Sequence, residues 1–319
     1  MRAALLSVVQ AGVVAALVTT LAFFLIQLAP GDPLSYILEI PGADPAIVAE
    51  LRTQFGLDRP LGEQYARWLA GAARGDLGYS FRHSEPVATV IARSLPNTLL
   101  LMGTALGLAL VLGVGLGVVQ AAYRGSAADR ATRALALAFH SMPSFGLAAL
   151  LLLVGAQWLG LFPSGGGSAF FPPADPWLRL LDRLHHLALP ALTLVLVMTA
   201  SVSRLQRSAL LETLPEDFVR TAAAKGLTRR GVLRHALRNA LLPVVTLVGL
   251  SFPALLGGAV FVERVFTWPG MGTLLVEAVA ERDYMLLTGC VLVGSITVVA
   301  GSLLADLLTL ATDPRRRTT

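Results

Sequence analysis

The chain has 319 residues, 55% hydrophobic and 14% charged, with a mean hydropathy of +0.69. So apolar a composition cannot furnish a solvated surface, which excludes the two soluble domains its length would otherwise suggest and indicates an integral membrane protein. Lys and Arg exceed Asp and Glu by 25 to 20, and the lone cysteine, Cys290, excludes a disulfide framework within the chain.

A hydrocarbon core needs about 20 apolar residues per helical crossing. Six stretches qualify, at 5–29, 95–122, 132–162, 187–206, 241–262 and 285–311, so the expected fold is all-α, a polytopic membrane protein with six transmembrane helices. The first has an apolar run well beyond the roughly 7–15 residues of a signal peptide, so it is expected to be a retained helix. Residues 1–29 then make the first transmembrane helix, 30–94 an extracytoplasmic subdomain, 95–311 a five-helix core and 312–319 a cytoplasmic tail.

After the first span, Pro30-Gly-Asp-Pro33 breaks the helix. Asp44 before Pro45 reads as a helix cap and Gly56 as its stop. Asp58 and Pro60 are expected to open another helix, which sets Tyr65, Trp68 and Leu69 on one face. That face has two readings, packing on the membrane portion or contact with a solute. Ser94, with Pro96 in the first turn, is expected to start the second span, where Gly103 and Gly107, then Gly113 and Gly117, are spaced for close helix approach.

In the third span, His140-Ser141-Met-Pro143-Ser144 falls about ten residues from the basic inner end, roughly 15 Å deep. Polar side chains at such depth face protein or water, and proline frees a backbone carbonyl. This segment is a candidate for lining or gating a pathway, against the alternative of a kink packed among helices. Ser251 and Pro253 make a similar distortion in the fifth span. A glycine-rich outer loop, Pro163-Ser-Gly-Gly-Gly-Ser168, precedes His185 and His186, which have no cysteine or carboxylate cluster beside them, so no metal site is expected. Asp306, in the last span, is expected to pair with a basic neighbour or backbone donors.

Between the fourth and fifth spans lies a basic stretch, 212–243. Thr213 and Glu216 have capping-box spacing and Pro215 suits a first turn, which predicts a helix from Leu214 to Lys225 stopped by Gly226. Thr228 then caps a second helix carrying Arg229, Arg230, Arg234 and Arg238. Glu216 and Asp217 begin the first helix, and Arg220, Thr221, Ala222, Ala223, Ala224, Lys225 and Gly226 complete a rigid peg suited to another protein's groove. With the N-terminus inside, this stretch joins Arg2, Arg124, Arg130, Arg133 and Arg315–Arg317 on the inner face, as the positive-inside rule requires. The basic balance therefore points to anionic lipid or an acidic partner, with no nucleic acid implied.

Arg220-Thr-Ala-Ala-Ala-Lys-Gly226 followed by Asn239-Ala-Leu-Leu-Pro243 resembles the cytoplasmic coupling loop of ABC importer permeases, in the branch that imports dipeptides, oligopeptides and nickel. The wider family begins this loop with Glu-Ala-Ala. Here Arg220 and Thr221 replace the first two residues, so a salt bridge through the family's glutamate has no counterpart. Gly56-Leu-Asp-Arg-Pro-Leu61, Gly75-Asp-Leu-Gly-Tyr-Ser-Phe81, Glu263-Arg-Val-Phe-Thr-Trp-Pro-Gly-Met-Gly272 and Asp313-Pro-Arg315 are similar to the same branch.

The resemblance implies a transport subunit of the bacterial inner membrane, multi-pass with both termini cytoplasmic. It implies a second permease subunit, paralogous or identical, two ATPase subunits that bind ATP and Mg, and an extracytoplasmic solute-binding protein. The sequence itself adds that the single lysine, Lys225, precedes Gly226 and Leu227 rather than Ser or Thr, so no P-loop can form; no cofactor is expected on this chain. An ion- or proton-coupled secondary transporter is the competing expectation, with His140 as its one titratable mid-membrane group. Dipeptide, oligopeptide, nickel chelate and glutathione carriers remain equally open.

Overall fold

The computed structural model describes residues 2–28, 45–54, 56–80 and 82–312. Pro30–Pro33, Asp44, Phe81 and Asp313–Arg315 lie outside the described residues, as does the side chain of Asp306.

The helices are α1 (Arg2–Leu28), α2 (Pro45–Gln54), α3 (Leu61–Ala72), α4 (Val87–Ala122), α5 (Ala127–Ser141), α6 (Ser144–Leu151), α7 (Pro176–Thr213), α8 (Asp217–Ala224), α9 (Arg229–Ala240), α10 (Leu242–Val265), α11 (Met271–Ala280) and α12 (Tyr284–Thr312). A π-helical turn, Leu152–Trp158, follows α6. The one departure from an all-helical chain among the described residues is a two-residue antiparallel pair, β1 (Tyr79–Ser80) with β2 (Glu85–Pro86).

Three helices, α4, α7 and α12, are by themselves long and apolar enough to cross a membrane. Two bent pairs, α5 with α6 and the two parts of α10, raise that to five. Of α1, the apolar stretch Gly12–Leu28 is shorter than this measure requires. The chain is therefore a polytopic, essentially all-α membrane protein.

Several helix starts differ from expectation. No cap forms at Ser94: α4 begins at Val87 and carries Pro96 within it. Asp58 does not open α3, whose first turn follows Pro60 without a side-chain cap. The fourth span is part of a 38-residue helix that starts at Pro176, where the Asp175 carboxylate accepts from the backbone N–H groups of Trp177 and Leu178, so Pro190 is interior. α11 was not foreseen.

Two compact units divide the chain. The first comprises 1–98 and 269–299. Within it the α3 face expected from sequence packs on α1: Phe23 meets Tyr65 and Trp68 at ring-centroid separations of 5.3 and 5.8 Å, and the Thr20 and Tyr65 hydroxyls are 2.6 Å apart. This supports packing over solute contact for Tyr65 and Trp68, while Leu69 is exposed. On the solvent side of α3, a hydrogen bond from Arg59 holds the Glu63 carboxyl below its ordinary pKa. The β-pair is tied down by Ser80, which donates to Asp283 at 2.5 Å, and Leu77, Val87, Ile91, Leu274 and Leu286 form the apolar core.

The second unit comprises 99–268 and 300–319. Its core joins α4, α6, α7 and α10 through Leu101, Ala105, Ala148, Leu194, Val195, Leu255 and Val262, closed by the fully buried Trp268. Of the four spaced glycines in α4, only Gly113 and Gly117 serve close approach: a Cβ on them would fall 2.6 Å from Val202 and 2.7 Å from Gln206 of α7. Gly103 and Gly107 face open space. The glycine loop at 163–168 is packed rather than free, with the Gly166 N–H donating to the Phe266 carbonyl at 2.9 Å and no room for a Cβ on Gly165.

Candidate functional site: a polar-edged cavity and an exposed peg

Both features lie in the second unit. Met142 is extended (φ −79°, ψ 133°), the conformation imposed on a residue before proline, and Pro143 heads α6. The axes on either side differ by 105°. α10 bends by 42° between Val248 and Ser251, the turn where Pro253 cannot complete its backbone hydrogen bond.

These breaks flank a cavity of about 410 Å³. His140 and Ser144 line it from the α5–α6 corner and Ser251 from α10. Ser201 of α7 joins them, its hydroxyl 3.4 Å from Nδ1 of His140. The remaining wall is apolar, chiefly Leu194, Val197, Met198, Leu247 and Leu255. Ser141, Pro143 and Pro253 do not line it; they are exposed, and the prolines act through the backbone breaks. The Ser251 hydroxyl donates to Leu247 O at 2.7 Å, so it is partly spent on its own helix. Among these eleven lining residues His140 alone is titratable, and no side chain carries a fixed charge. Such a wall suits a solute whose charges are few or mutually compensated.

The peg at 212–226 differs in detail from its expected form. No capping box forms at Thr213, whose hydroxyl donates to Ala209 O at 2.7 Å and so continues α7. Leu214 and Pro215 make the turn, and α8 starts at Asp217 after Glu216, which offers no side-chain cap. The C-terminal stop is as expected: Gly226 has φ +82°, and its N–H bonds Ala223 O at 3.0 Å. Thr228 caps α9 by accepting from the Gly231 N–H. Val219 roots α8 in an apolar cluster with Leu210, Ala236 and Ala240, and Ala222 is also buried. Glu216, Asp217, Arg220, Thr221, Ala223, Ala224, Lys225 and Gly226 are all exposed. The peg is thus a short helix clamped on one side and bare on the other.

One cluster escaped the sequence reading. Asp129, its side chain 1% exposed, receives Nε and Nη2 of Arg207 at 3.2 Å each and Nε of Arg133 at 3.1 Å. Ser126 caps α5 through the Asp129 N–H, a Ser-x-x-Asp spacing visible in the sequence. The partner on α7, 78 residues on, was not visible. His185 lies 2.7 Å from Leu161 O and His186 2.9 Å from Asp182 O, so both rings have structural hydrogen bonds.

Comparison with known proteins places this geometry. The chain is 45% identical over 304 residues to a Brucella ovis protein named as a peptide permease, covering 94% of both chains. It is 39% identical to the oligopeptide transport system permease protein AppB of Bacillus subtilis (93% of both chains) and 38% identical to the glutathione transport system permease protein GsiC of Escherichia coli (94% of both). A chain of the MetNI methionine ABC transporter, inward-facing, shares the fold with a TM-score of 0.57 at 18% identity, over 70% of this chain and 96% of that one. Residues 113–318 match the model for binding-protein-dependent transport system inner membrane components, and residues 1–102 match the model for their N-terminal portion. The chain belongs to this family of ABC transporter permeases, in its peptide, oligopeptide and nickel importer branch.

Proposed function

We propose that this permease subunit takes its mechanical input at α8 and passes solute along the cavity edged by His140, Ser144, Ser201 and Ser251. The observation that carries the proposal is α8 itself, rooted in an apolar cluster by Val219, with Ala222 buried, and bare at Ala223, Ala224 and Gly226. A pre-formed helix with small residues on its free side loses little entropy on docking and admits close backbone approach. Two ATPase subunits, holding ATP and Mg, would each grip one such peg, one from this chain and one from a second permease subunit, either a paralogue or another copy.

In this reading 30–94 is an extracytoplasmic subdomain near a docked solute-binding protein, and 95–311 is the core, with 312–319 as a cytoplasmic tail. With Gly12–Leu28 of α1 counted as a sixth span beside the five others, both termini would lie in the cytoplasm of a bacterial inner membrane. Closing and opening of the ATPases rocks the core between outward- and inward-open states, which requires tight docking at α8 in both. The solute is a peptide or peptide-like compound, supported by the names of the relatives and by a cavity wall without fixed charge.

The test is Ala223→Trp and Gly226→Val in the assembled transporter. Bulk at 223 blocks the close approach, and valine at 226 opposes a left-handed backbone. Both are expected to insert normally yet lose uptake by about tenfold or more, a coupling loss within the usual range. Wild-type uptake and ATPase stimulation in both would refute the role of α8.

A further inference from the structure

Resting on that reading of α8, we infer that Asp129 and Arg207 are positioning residues of the transport cycle, the bolt that makes α5 follow the coupling peg. Arg207 stands on the last turns of α7, ten residues before α8 begins. Its guanidinium meets the Asp129 carboxylate in a two-pronged contact, 3.2 Å from Nε to Oδ1 and 3.2 Å from Nη2 to Oδ2. Arg133 adds a third contact at 3.1 Å, and the Gly125 N–H donates to Oδ2 at 2.9 Å. Two parallel N–H···O bonds fix orientation as well as distance, which a single contact cannot do.

A second tie runs beside it. Nη2 of Arg229, at the start of α9, donates to Ala122 O at the end of α4, 3.1 Å away. The apolar cluster of Ala121, Leu210, Val219, Ala236 and Ala240 fills the space between these elements. The inner ends of α4, α5, α7, α8 and α9 are thereby joined as one block. From Asp129 the rigid α5 runs eleven residues, about 16 Å, to His140 at the 105° corner and the cavity. A displacement of α8 is thus delivered along α5 to the wall of the solute path. Without the bolt, α7 would slide past α5 and the corner would stay where it was.

The experiment uses the full transporter in proteoliposomes, this chain with its partner permease, ATPases and binding protein. It reads uptake of a mixture of tritiated di- and tripeptides per ATP hydrolysed, with co-purifying ATPase subunit as the measure of assembly. Asp129→Asn keeps the size of the side chain and removes its charge, while Arg207→Lys keeps the charge and removes the fork. Each is expected to lower uptake per ATP by about tenfold, with hydrolysis changed less than about twofold and assembly intact. The double variant Asp129→Asn with Arg207→Gln leaves no buried charge unpaired, so it is expected to recover full expression and thermal stability while remaining uncoupled.

A merely structural pair gives another pattern: uptake, hydrolysis and assembly fall together in the single variants, and the double variant restores all three. That pattern, or an unchanged coupling ratio in the single variants, overturns the inference. Should Ala223→Trp and Gly226→Val uncouple the same preparation while Asp129→Asn does not, the bolt fails and the role of α8 stands. Should neither set uncouple it, the reading of α8 falls as well.

Discussion

Gly117 shows how one absent side chain sets the distance between two helices. A Cβ there would lie 2.7 Å from that of Gln206 and 2.8 Å from Ser203 O, so α4 and α7 touch backbone to side chain. Gly117→Leu is expected to destabilise the chain by about 1–3 kcal/mol through overpacking. Gly107→Leu, whose Cβ meets nothing within 4 Å, should change the melting temperature of the purified protein little. Equal losses in both would mean that glycine's backbone freedom, not packing, decides the matter. The four-residue spacing was legible in the sequence for both pairs, but which pair meets a neighbour depends on α7, some 85 residues away, and on nothing local. The same applies to Asp129, whose capping role could be read nearby while its pairing with Arg207 could not.

At the scale of elements, local chemistry was legible where one residue type forces the backbone. Gly226 and Thr228 ended and began helices as expected, and Pro143 broke a span where it should. Helix starts that rest on optional side-chain bonds were less legible. Thr213 had two partners open to it, its own helix four residues back or the N–H groups ahead, and it took the former. The corner at Pro143 gives a prediction at this scale. Pro143→Ala restores an N–H and lifts the restriction on Met142, which allows α5 to continue into α6. Uptake is then expected to fall by about tenfold. A cysteine at 201 in a Cys290→Ser background should change its reactivity toward a small thiol reagent, because His140 would leave its position beside Ser201. Normal uptake with unchanged reactivity would show that the surrounding packing, rather than proline, holds the corner.

For the whole molecule, the membrane character was the most legible feature and the source of energy the least. The sequence shows arginine-rich stretches between its apolar spans and a cavity region almost without titratable groups, and both belong equally to an ATP-driven permease and to a gradient-driven carrier. The structure narrows the choice, because a proton-coupled path needs a relay of titratable groups, and of the residues lining the cavity His140 alone is of a titratable type. Among the residues lining the cavity, the imidazole beside Ser201 has no second titratable side chain to pass a proton to. Peptide uptake by cells carrying the full system is therefore expected to survive a protonophore that collapses the membrane potential and pH gradient while cellular ATP is maintained, and to stop when ATP is depleted with the gradient clamped. His140→Gln preserves a hydrogen-bonding group beside Ser201 but cannot titrate, so in an ATP-driven permease it should retain most of the uptake across the pH range. Abolished uptake in His140→Gln, together with sensitivity to the protonophore, would assign the driving force to protons and leave α8 without a motor.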